Sequence, residues 1–110
     1  MGNDKAELLQ GTLDMLILKA LNLEPMHGFG LSLRLRQMSN ELFHVEMGSL
    51  YPALCRLEAR GLVKAVWGIS DNNRKARYYS LTVSGRRQLG QETTKWEMLS
   101  STINAMLRAT

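Results

Sequence analysis

One helix, with signals at both of its ends, is predicted by the stretch Met47-Gly48-Ser49-Leu50-Tyr51-Pro52-Ala53-Leu54-Cys55-Arg56-Leu57-Glu58-Ala59-Arg60-Gly61. Ser49 offers a capping hydroxyl, and Pro52 suits a first turn, where the N–H that proline lacks is not needed. Gly61 is a natural left-handed stop. On a 3.6-residue wheel one stripe is apolar and requires a core, and it consists of Leu50, Leu54 and Leu57.

A second stripe of this helix carries short side chains and two arginines, and it consists of Ser49, Ala53, Arg56 and Arg60. Arg56 and Arg60 are four positions apart, so their like charges repel unless an anion lies between them. Such a face fits a helix that lies against phosphates and base edges. A solvated amphipathic helix is the alternative that the stretch alone leaves open.

The same stretch resembles the third helix of PadR-type transcriptional regulators, in the segments Gly48-Ser49-Leu50-Tyr51-Pro52-Ala53-Leu54, Arg56-Leu57-Glu58 and Gly61. Further segments that resemble the family follow its order along the chain: Gly11-Thr12-Leu13, Pro25-Met26-His27-Gly28-Phe29-Gly30, Arg77-Tyr78-Tyr79-Ser80-Leu81-Thr82 and Gly85-Arg86. The resemblance spans roughly residues 8 to 100, and Phe29 stands where the family often has tyrosine. It implies a winged-helix repressor.

The positive charge is concentrated in the middle of the chain. The whole sequence of 110 residues carries a formal charge of +4, with −2 in residues 1–48, +6 in residues 49–90 and zero in residues 91–110. A basic region confined to one helix and the segment after it is typical of a polyanion site. An acidic protein surface and an anionic membrane are alternative partners, but neither explains a helix followed by a hairpin as well as duplex DNA does.

Several functional classes are disfavoured by the composition. No apolar run is long enough to cross a membrane and no signal-peptide pattern opens the chain, so we expect a cytoplasmic protein that does not contact a membrane. Cys55 is the only cysteine, and we expect a buried or half-buried structural thiol without a disulfide or a metal. No catalytic set of side chains and no phosphate-binding glycine loop is present. We therefore expect neither an enzyme nor a bound cofactor.

Two helices are predicted before the central stretch. The first covers roughly residues 8 to 22, and its apolar side chains extend beyond one stripe, so we expect it to pack on its own core and also on a partner chain through Leu13 and Leu16. A purely central position within one core is the alternative. After the break at Pro25, the second helix covers about 28 to 39 and His27 caps it. Together with the third helix it forms a helix-turn-helix.

After Gly61 the apolar period changes from that of a helix to that of a strand. Residues 62–69 and 76–81 predict an antiparallel hairpin, in which Tyr78 and Tyr79 point to opposite faces. The connecting loop combines turn-forming and basic residues, which predicts a wing that contacts DNA through Asn73, Arg74, Lys75 and Arg77. A solvated, mobile loop is the alternative.

A long final helix is predicted from Val83 to Arg108, capped by Thr82. Its apolar stripe follows a heptad and consists of Leu89, Trp96, Leu99, Ile103 and Met106. This stripe favours pairing with a second chain, while folding back on the first helix, or doing both, is the alternative. Trp96 has two interpretations: it fills the dimer core, or, as the family resemblance implies, it borders a site for a small aromatic effector.

The predicted fold is mainly α with a small β-hairpin, an α+β winged helix-turn-helix in residues 1–82 with a dimerisation helix in residues 83–110 of the same compact unit. The predicted function is a homodimeric repressor that binds double-stranded DNA at an inverted repeat. Ser49, Ala53 and Arg56 are expected to meet base edges. The other expected DNA contacts, mostly to phosphates, are Tyr51, Pro52, Arg60, Asn73, Arg74, Lys75 and Arg77. A winged-helix module that binds an acidic protein is the alternative function.

Overall fold

A computed structural model describes residues 9–110, which form four helices and a three-stranded antiparallel sheet. The elements in chain order are α1 (Gln10–Leu23), β1 (Met26–His27), α2 (Gly28–Met38), α3 (Met47–Ala59), β2 (Val63–Ile69), β3 (Lys75–Leu81) and α4 (Val83–Arg108). The predicted fold class is confirmed, and α4 has the predicted bounds. Leu8, which the sequence places at the start of the first helix, lies outside the described residues.

The core is built from leucine-rich faces of the first three helices, and α1 lies at its centre, in contact with α2, α3, β3 and α4. The largest fully buried side chains are Ile17, Leu18, Leu31, Leu50, Leu54 and Leu57. The apolar stripe that the sequence predicts for α3 is therefore confirmed as core.

Two residues predicted for a partner interface lie instead in this core. Leu13 of α1 is 6% exposed and Leu89 of α4 is 8% exposed. The prediction was wrong for both because the first turns of α4 pack on α1 of the same chain, and this contact already covers the two side chains. Leu16 is half-buried and packs against the edge of the core. The described part of α1 thus buries most of its apolar surface against its own chain.

The sheet has the order β1-β3-β2, so β3 is its central strand. In β2 and β3, Val63 pairs with Leu81 and Ile69 pairs with Lys75, which forms the predicted hairpin. Tyr79 is buried and Tyr78 is only half-buried, as expected for neighbours on opposite faces. The two-residue strand β1 pairs with this part of β3 and was not predicted, since two residues are too few to show a period.

The start of α3 differs from the prediction. The helix begins at Met47, because the N–H groups of Ser49 and Leu50 both donate to the Glu46 carbonyl, at 2.9 and 3.0 Å. Ser49 is consequently inside the first turn and makes no capping bond, so the predicted cap was wrong. Pro52 lies beyond the first turn, where it cannot donate to the Gly48 carbonyl. The predicted stop is confirmed, because Gly61 has a φ of 72° and Leu62 N–H donates back to the Leu57 carbonyl at 2.9 Å.

One threonine joins the end of α3 to the start of α4. The Thr82 hydroxyl accepts a hydrogen bond from Gly85 N–H at 3.0 Å, which confirms the predicted cap, and it donates to the Gly61 carbonyl at 2.7 Å. Thr82 N–H also donates to the Leu62 carbonyl at 3.1 Å. These bonds fix the direction in which α4 leaves the core.

Beyond Leu89, α4 projects from the core, and the described residues extend 57 Å along the longest axis. The side chains of Trp96, Leu99 and Ile103 are 46%, 50% and 45% exposed. No helix among residues 9–110 is long and apolar enough to cross a membrane.

Candidate nucleic-acid interface

The outer face of α3 carries small side chains. Gly48, Pro52, Cys55 and Ala59 recur at helical spacing opposite the buried leucines, and all four are exposed. Ser49 and Arg60 flank this face on one side, and the half-exposed ring of Tyr51 flanks it on the other. Short side chains let a helix backbone approach the floor of a groove closely. Cys55 lies in the middle of this face, so the expectation of a buried or half-buried thiol was wrong.

Ala53 is not part of this face. Its side chain is fully buried, so the prediction that it meets base edges was wrong. The apolar stripe of α3 is wider than its three leucines indicate, and Ala53 lies on the side of that stripe where α3 packs closely on the core. The methyl group of Ala53 is small enough for this close packing. In the sequence, the same small size was compatible with contact in a DNA groove.

Arg56 is turned toward α1 and away from the outer face. Its Nη2 donates to Asp14 Oδ1 at 2.9 Å, and Asp14 is the one buried charged residue among residues 9–110. The Arg56 Nε is also buried and has no hydrogen-bond partner within the described residues. The structure therefore contradicts the prediction that Arg56 reads base edges. The guanidinium joins α3 to α1, and it is the cationic partner of a carboxylate that would be costly to leave buried and unpaired.

Removing the carboxylate of this ion pair should destabilise the fold. We expect Asp14→Asn to lower the free energy of unfolding by about 1–2 kcal/mol, because Arg56 is left partly buried without its anion, and the partial exposure of the pair reduces the full penalty. Thermal or urea unfolding measures the change. Glu24→Gln is the matched control, since it breaks the more exposed pair of Arg34 and Glu24, whose length of 3.0 Å is close to the 2.9 Å of the Asp14 pair. Equal losses for both variants would contradict a structural role of the Asp14 pair.

The wing is closed by hydrogen bonds within its five-residue loop. Ser70 N–H donates to the Arg74 carbonyl at 2.8 Å, and Asn73 N–H donates to the Ser70 carbonyl at 2.9 Å. Asn73 adopts a left-handed conformation with a φ of 62°, which asparagine tolerates better than most residues. Arg74 and Lys75 follow directly and are exposed. Among residues 9–110, no carboxylate lies within salt-bridge distance of Arg74, Lys75 or Arg60.

Arg77, the remaining predicted wing contact, has intramolecular partners. Its Nη2 donates to Glu58 of α3 at 3.0 Å, and its guanidinium carbon lies 5.9 Å from the Trp67 ring centre and 5.7 Å from that of Tyr79. Burial raises the pKa of the Tyr79 hydroxyl, although the nearby Arg77 charge acts in the opposite direction. Arg77 is half-buried and joins the wing to α3, so it is a weaker candidate for a free phosphate contact than Arg74 or Lys75.

An open cleft of about 820 Å³ lies between the wing and the first turn of α2. One wall is formed by the N-terminal turn of α2, where His27 Nδ1 accepts a hydrogen bond from Gly30 N–H at 3.0 Å, as predicted. Tyr51 of α3 also lines the cleft, and the opposite wall is the wing, with Trp67, Lys75 and Arg77. Neither Trp67 nor Phe29, which also lines this cleft, was predicted as a site residue.

A family model described as the transcriptional regulator PadR-like family matches residues 17–91, more than half of the chain. The chain belongs to this family. Its members are DNA-binding transcriptional regulators and not enzymes, so this PadR-like chain is a DNA-binding regulator.

Solved structures of PadR-like and other transcriptional regulators are similar over nearly the whole chain. A PadR-like regulator from Bacillus cereus is 30% identical, with a TM-score of 0.81, over 96% of this chain and 100% of that one. A transcriptional regulator from Clostridium thermocellum is 28% identical, with a TM-score of 0.81, over 90% and 93% of the two chains. A PadR-like transcription factor from Bacteroides fragilis is 30% identical, with a TM-score of 0.74, over 88% and 91%.

This PadR-like chain leaves a continuous apolar surface on the outer part of α4. Trp96, Leu99 and Ile103, which the sequence assigns to a dimer interface or an effector site, are about half exposed along it. Met106 and Leu107 extend the exposed apolar surface toward the helix end. Within residues 9–110 there is no group of three side chains that could hold a metal ion.

Proposed function

We propose that the chain is a homodimeric repressor in which α3 of each subunit enters the major groove and the wing follows the DNA backbone. The observation that carries this proposal is the outer face of α3, which bears small exposed side chains and is bordered by Arg60, next to a wing that exposes Arg74 and Lys75. None of these three cations has a carboxylate within salt-bridge distance in the described part of the chain. A helix with this surface can approach base edges while its neighbours neutralise phosphates.

Within this proposal the roles of the basic residues divide according to their partners. Ser49 contacts base edges from the exposed flank of α3, and Pro52 lies against them. Arg60, Arg74 and Lys75 bind phosphates, with Tyr51 and Asn73 as uncharged neighbours. Arg56 and Arg77 position α3 and the wing, because their guanidinium groups already have carboxylate partners. The number of free cations is sufficient for strongly salt-dependent binding.

Two copies pair through the exposed apolar stripe of α4, with α1 and its half-buried Leu16 alongside. We propose that the two-fold axis of this contact sets two copies of α3 on the same side of a duplex, and such a dimer requires an inverted repeat. A dimer bound at the operator then prevents other proteins from binding the same DNA, and transcription is thereby repressed. A small planar aromatic effector would fit between the two copies of Trp96, and quenching of Trp96 emission by such compounds tests this part.

Selection from a random duplex library tests the central proposal. The purified protein is mixed with duplexes that contain a randomised central region, and bound DNA is amplified over several rounds. We expect an inverted repeat whose half-sites are centred about 10 base pairs, or a multiple of that, apart. No enrichment, together with no salt-dependent binding of random duplex, would refute DNA recognition. Binding of an acidic protein surface would then be the better explanation of the basic face.

The wing tip should contribute to binding without contributing to sequence preference. We expect the double variant Arg74→Ala and Lys75→Ala to weaken binding to all duplexes alike, and to reduce the slope of log affinity against log salt by about 2, since each lost phosphate contact removes roughly 0.9. Fluorescence anisotropy of labelled duplex at several salt concentrations measures both. Arg108→Ala is the control, because it removes a cation from the far end of α4. An unchanged slope in the double variant would exclude the wing tip from the interface.

A further inference from the structure

We infer that the cleft between the wing and α2 binds the sugar–phosphate backbone of one DNA strand, and that Trp67 contacts the deoxyribose there. This inference rests on the proposed function and deepens it. It assigns a DNA contact to Trp67, which belongs neither to the outer face of α3 nor to the tip of the wing. Its basis is the position of an exposed indole, the charges around it and the continuity of the cleft with α3.

Trp67 occupies the face of β2 that points toward the core. Val63, at the start of the same face, is 2% exposed, and Ala65 is partly buried against the core. Trp67 comes next on that face but lies where the wing has passed the edge of the core, and its side chain is 66% exposed. Covering a large exposed aromatic ring with a partner surface is favourable, because the ring is removed from water.

The charges around the indole favour an anionic partner. Lys75 Nζ lies 5.8 Å from the Trp67 ring centre, and the Arg77 guanidinium lies 5.9 Å from it. Arg74 lines the same cleft, and Asp71 is the one carboxylate among the lining residues. Because Glu58 already pairs with Arg77, the cations available to a phosphate here are Arg74 and Lys75. A phosphodiester chain presents an anion at every step with an apolar sugar between, which matches cations arranged around an aromatic ring. Proteins contact both the phosphates and the sugars of a DNA backbone, so an aromatic ring can cover a deoxyribose while cations bind the phosphates on either side of it.

The opposite wall and the neighbouring helix support the same partner. The first turn of α2 forms this wall, and the N-terminal end of a helix dipole favours an anion. The exposed ring of Phe29 extends the apolar surface of this wall. Tyr51 lines the cleft and also borders the outer face of α3, so a strand that leaves the groove at α3 passes directly into the cleft. The cleft therefore connects α3 to the tip of the wing.

Fluorescence of a single-tryptophan protein tests the contact directly. The chain has two tryptophans, so Trp96→Phe leaves Trp67 as the reporter. We expect random duplex DNA at low salt to shift Trp67 emission to shorter wavelength and to reduce its quenching by acrylamide at least twofold. The Trp67→Phe protein, which reports Trp96, is expected to change little. Anisotropy of labelled duplex measures DNA binding in the same samples.

The outcomes separate this inference from the proposed function. DNA binding without protection of Trp67 would overturn the inference alone. Absence of DNA binding in the natural protein would overturn the proposed function, and the assignment of Trp67 with it.

Affinity measurements on the otherwise natural chain provide a second test. We expect Trp67→Leu to weaken binding of every duplex about tenfold, a change of roughly 1.4 kcal/mol, with an unchanged melting temperature because the indole is exposed. The salt slope should stay constant, since no charge is lost. Val66→Ala is the matched control, because Val66 is similarly exposed on the opposite face of β2; it should change affinity less than twofold. Equal effects of the two variants, or a salt slope lowered by about 1 in Trp67→Leu, would overturn the contact.

Discussion

Replacing Gly85 by alanine is expected to lower the free energy of unfolding by about 2–3 kcal/mol, in the range of overpacked cores. A Cβ at Gly85 would overlap the Leu62 carbonyl oxygen and lie 3.3 Å from Leu81 Cδ2. The carbonyl cannot move away freely, because it accepts the hydrogen bond from Thr82 N–H that fixes the start of α4. The higher helix propensity of alanine offsets only part of this cost, about 1 kcal/mol.

A change of this size should lower the melting temperature by about 10–20 °C in a domain of this length. Gly90→Ala is the matched control, because Gly90 is in the same helix, is exposed and has open space where its Cβ would be. That variant should be about 0.5–1 kcal/mol more stable than the natural chain. Calorimetry of both variants at the same concentration makes the comparison. Stabilisation by both would show that α4 can move away from Leu62, and that its junction with the core is not rigid.

The junction also illustrates what a sequence pattern can and cannot predict. Thr82 before a long apolar heptad predicts a cap, and α4 begins and ends where the pattern places it. Periodicity similarly predicts the buried leucines of α3 and the opposite faces of Tyr78 and Tyr79. These features are local, since they depend on residues within a few turns. The close approach of Gly85 to Leu62 joins two elements across a hairpin, so no local pattern indicates it.

The largest corrections arise from the way that elements distant in sequence pack on one another. Arg56 and Asp14 are 42 positions apart, so their pairing depends on how α3 packs on α1, and a helical wheel gives only the direction of each side chain at its Cβ. A long arginine can reach from the flank of a helix toward the core. Ala53 was misassigned because a wheel fixes the centre of a buried stripe but not its width. Leu89 was misassigned because a heptad does not show which of its turns pack on α1 of the same chain. Trp67 was missed because its exposure arises only where the wing extends past the core.

Replacing Ile103 by glutamate is expected to dissociate the proposed dimer. The stripe of α4 around Ile103 is covered only if a second surface packs on it, and burial of an unpaired carboxylate costs several kcal/mol at each of the two symmetry-related positions. A total penalty of only about 3 kcal/mol already raises the dissociation constant of the dimer by more than about 100-fold. Analytical ultracentrifugation over a range of protein concentrations measures it. Ser101→Glu is the control, because it adds the same charge to an exposed position in the same turn.

The same substitution should separate dimerisation from DNA contact. Neither α3 nor the wing contains Ile103, so each monomer keeps its DNA-binding surface and should retain salt-dependent binding to a single half-site. Binding to a complete inverted repeat should weaken by about 10²- to 10⁴-fold, because the second half-site is no longer bound in an intramolecular step. The natural chain should prefer the complete repeat over one half-site, whereas the Ile103→Glu variant should show no such preference. A variant that remains dimeric and keeps the preference would place the subunit contact outside the α4 stripe, and the proposed spacing of the two α3 helices would then be wrong.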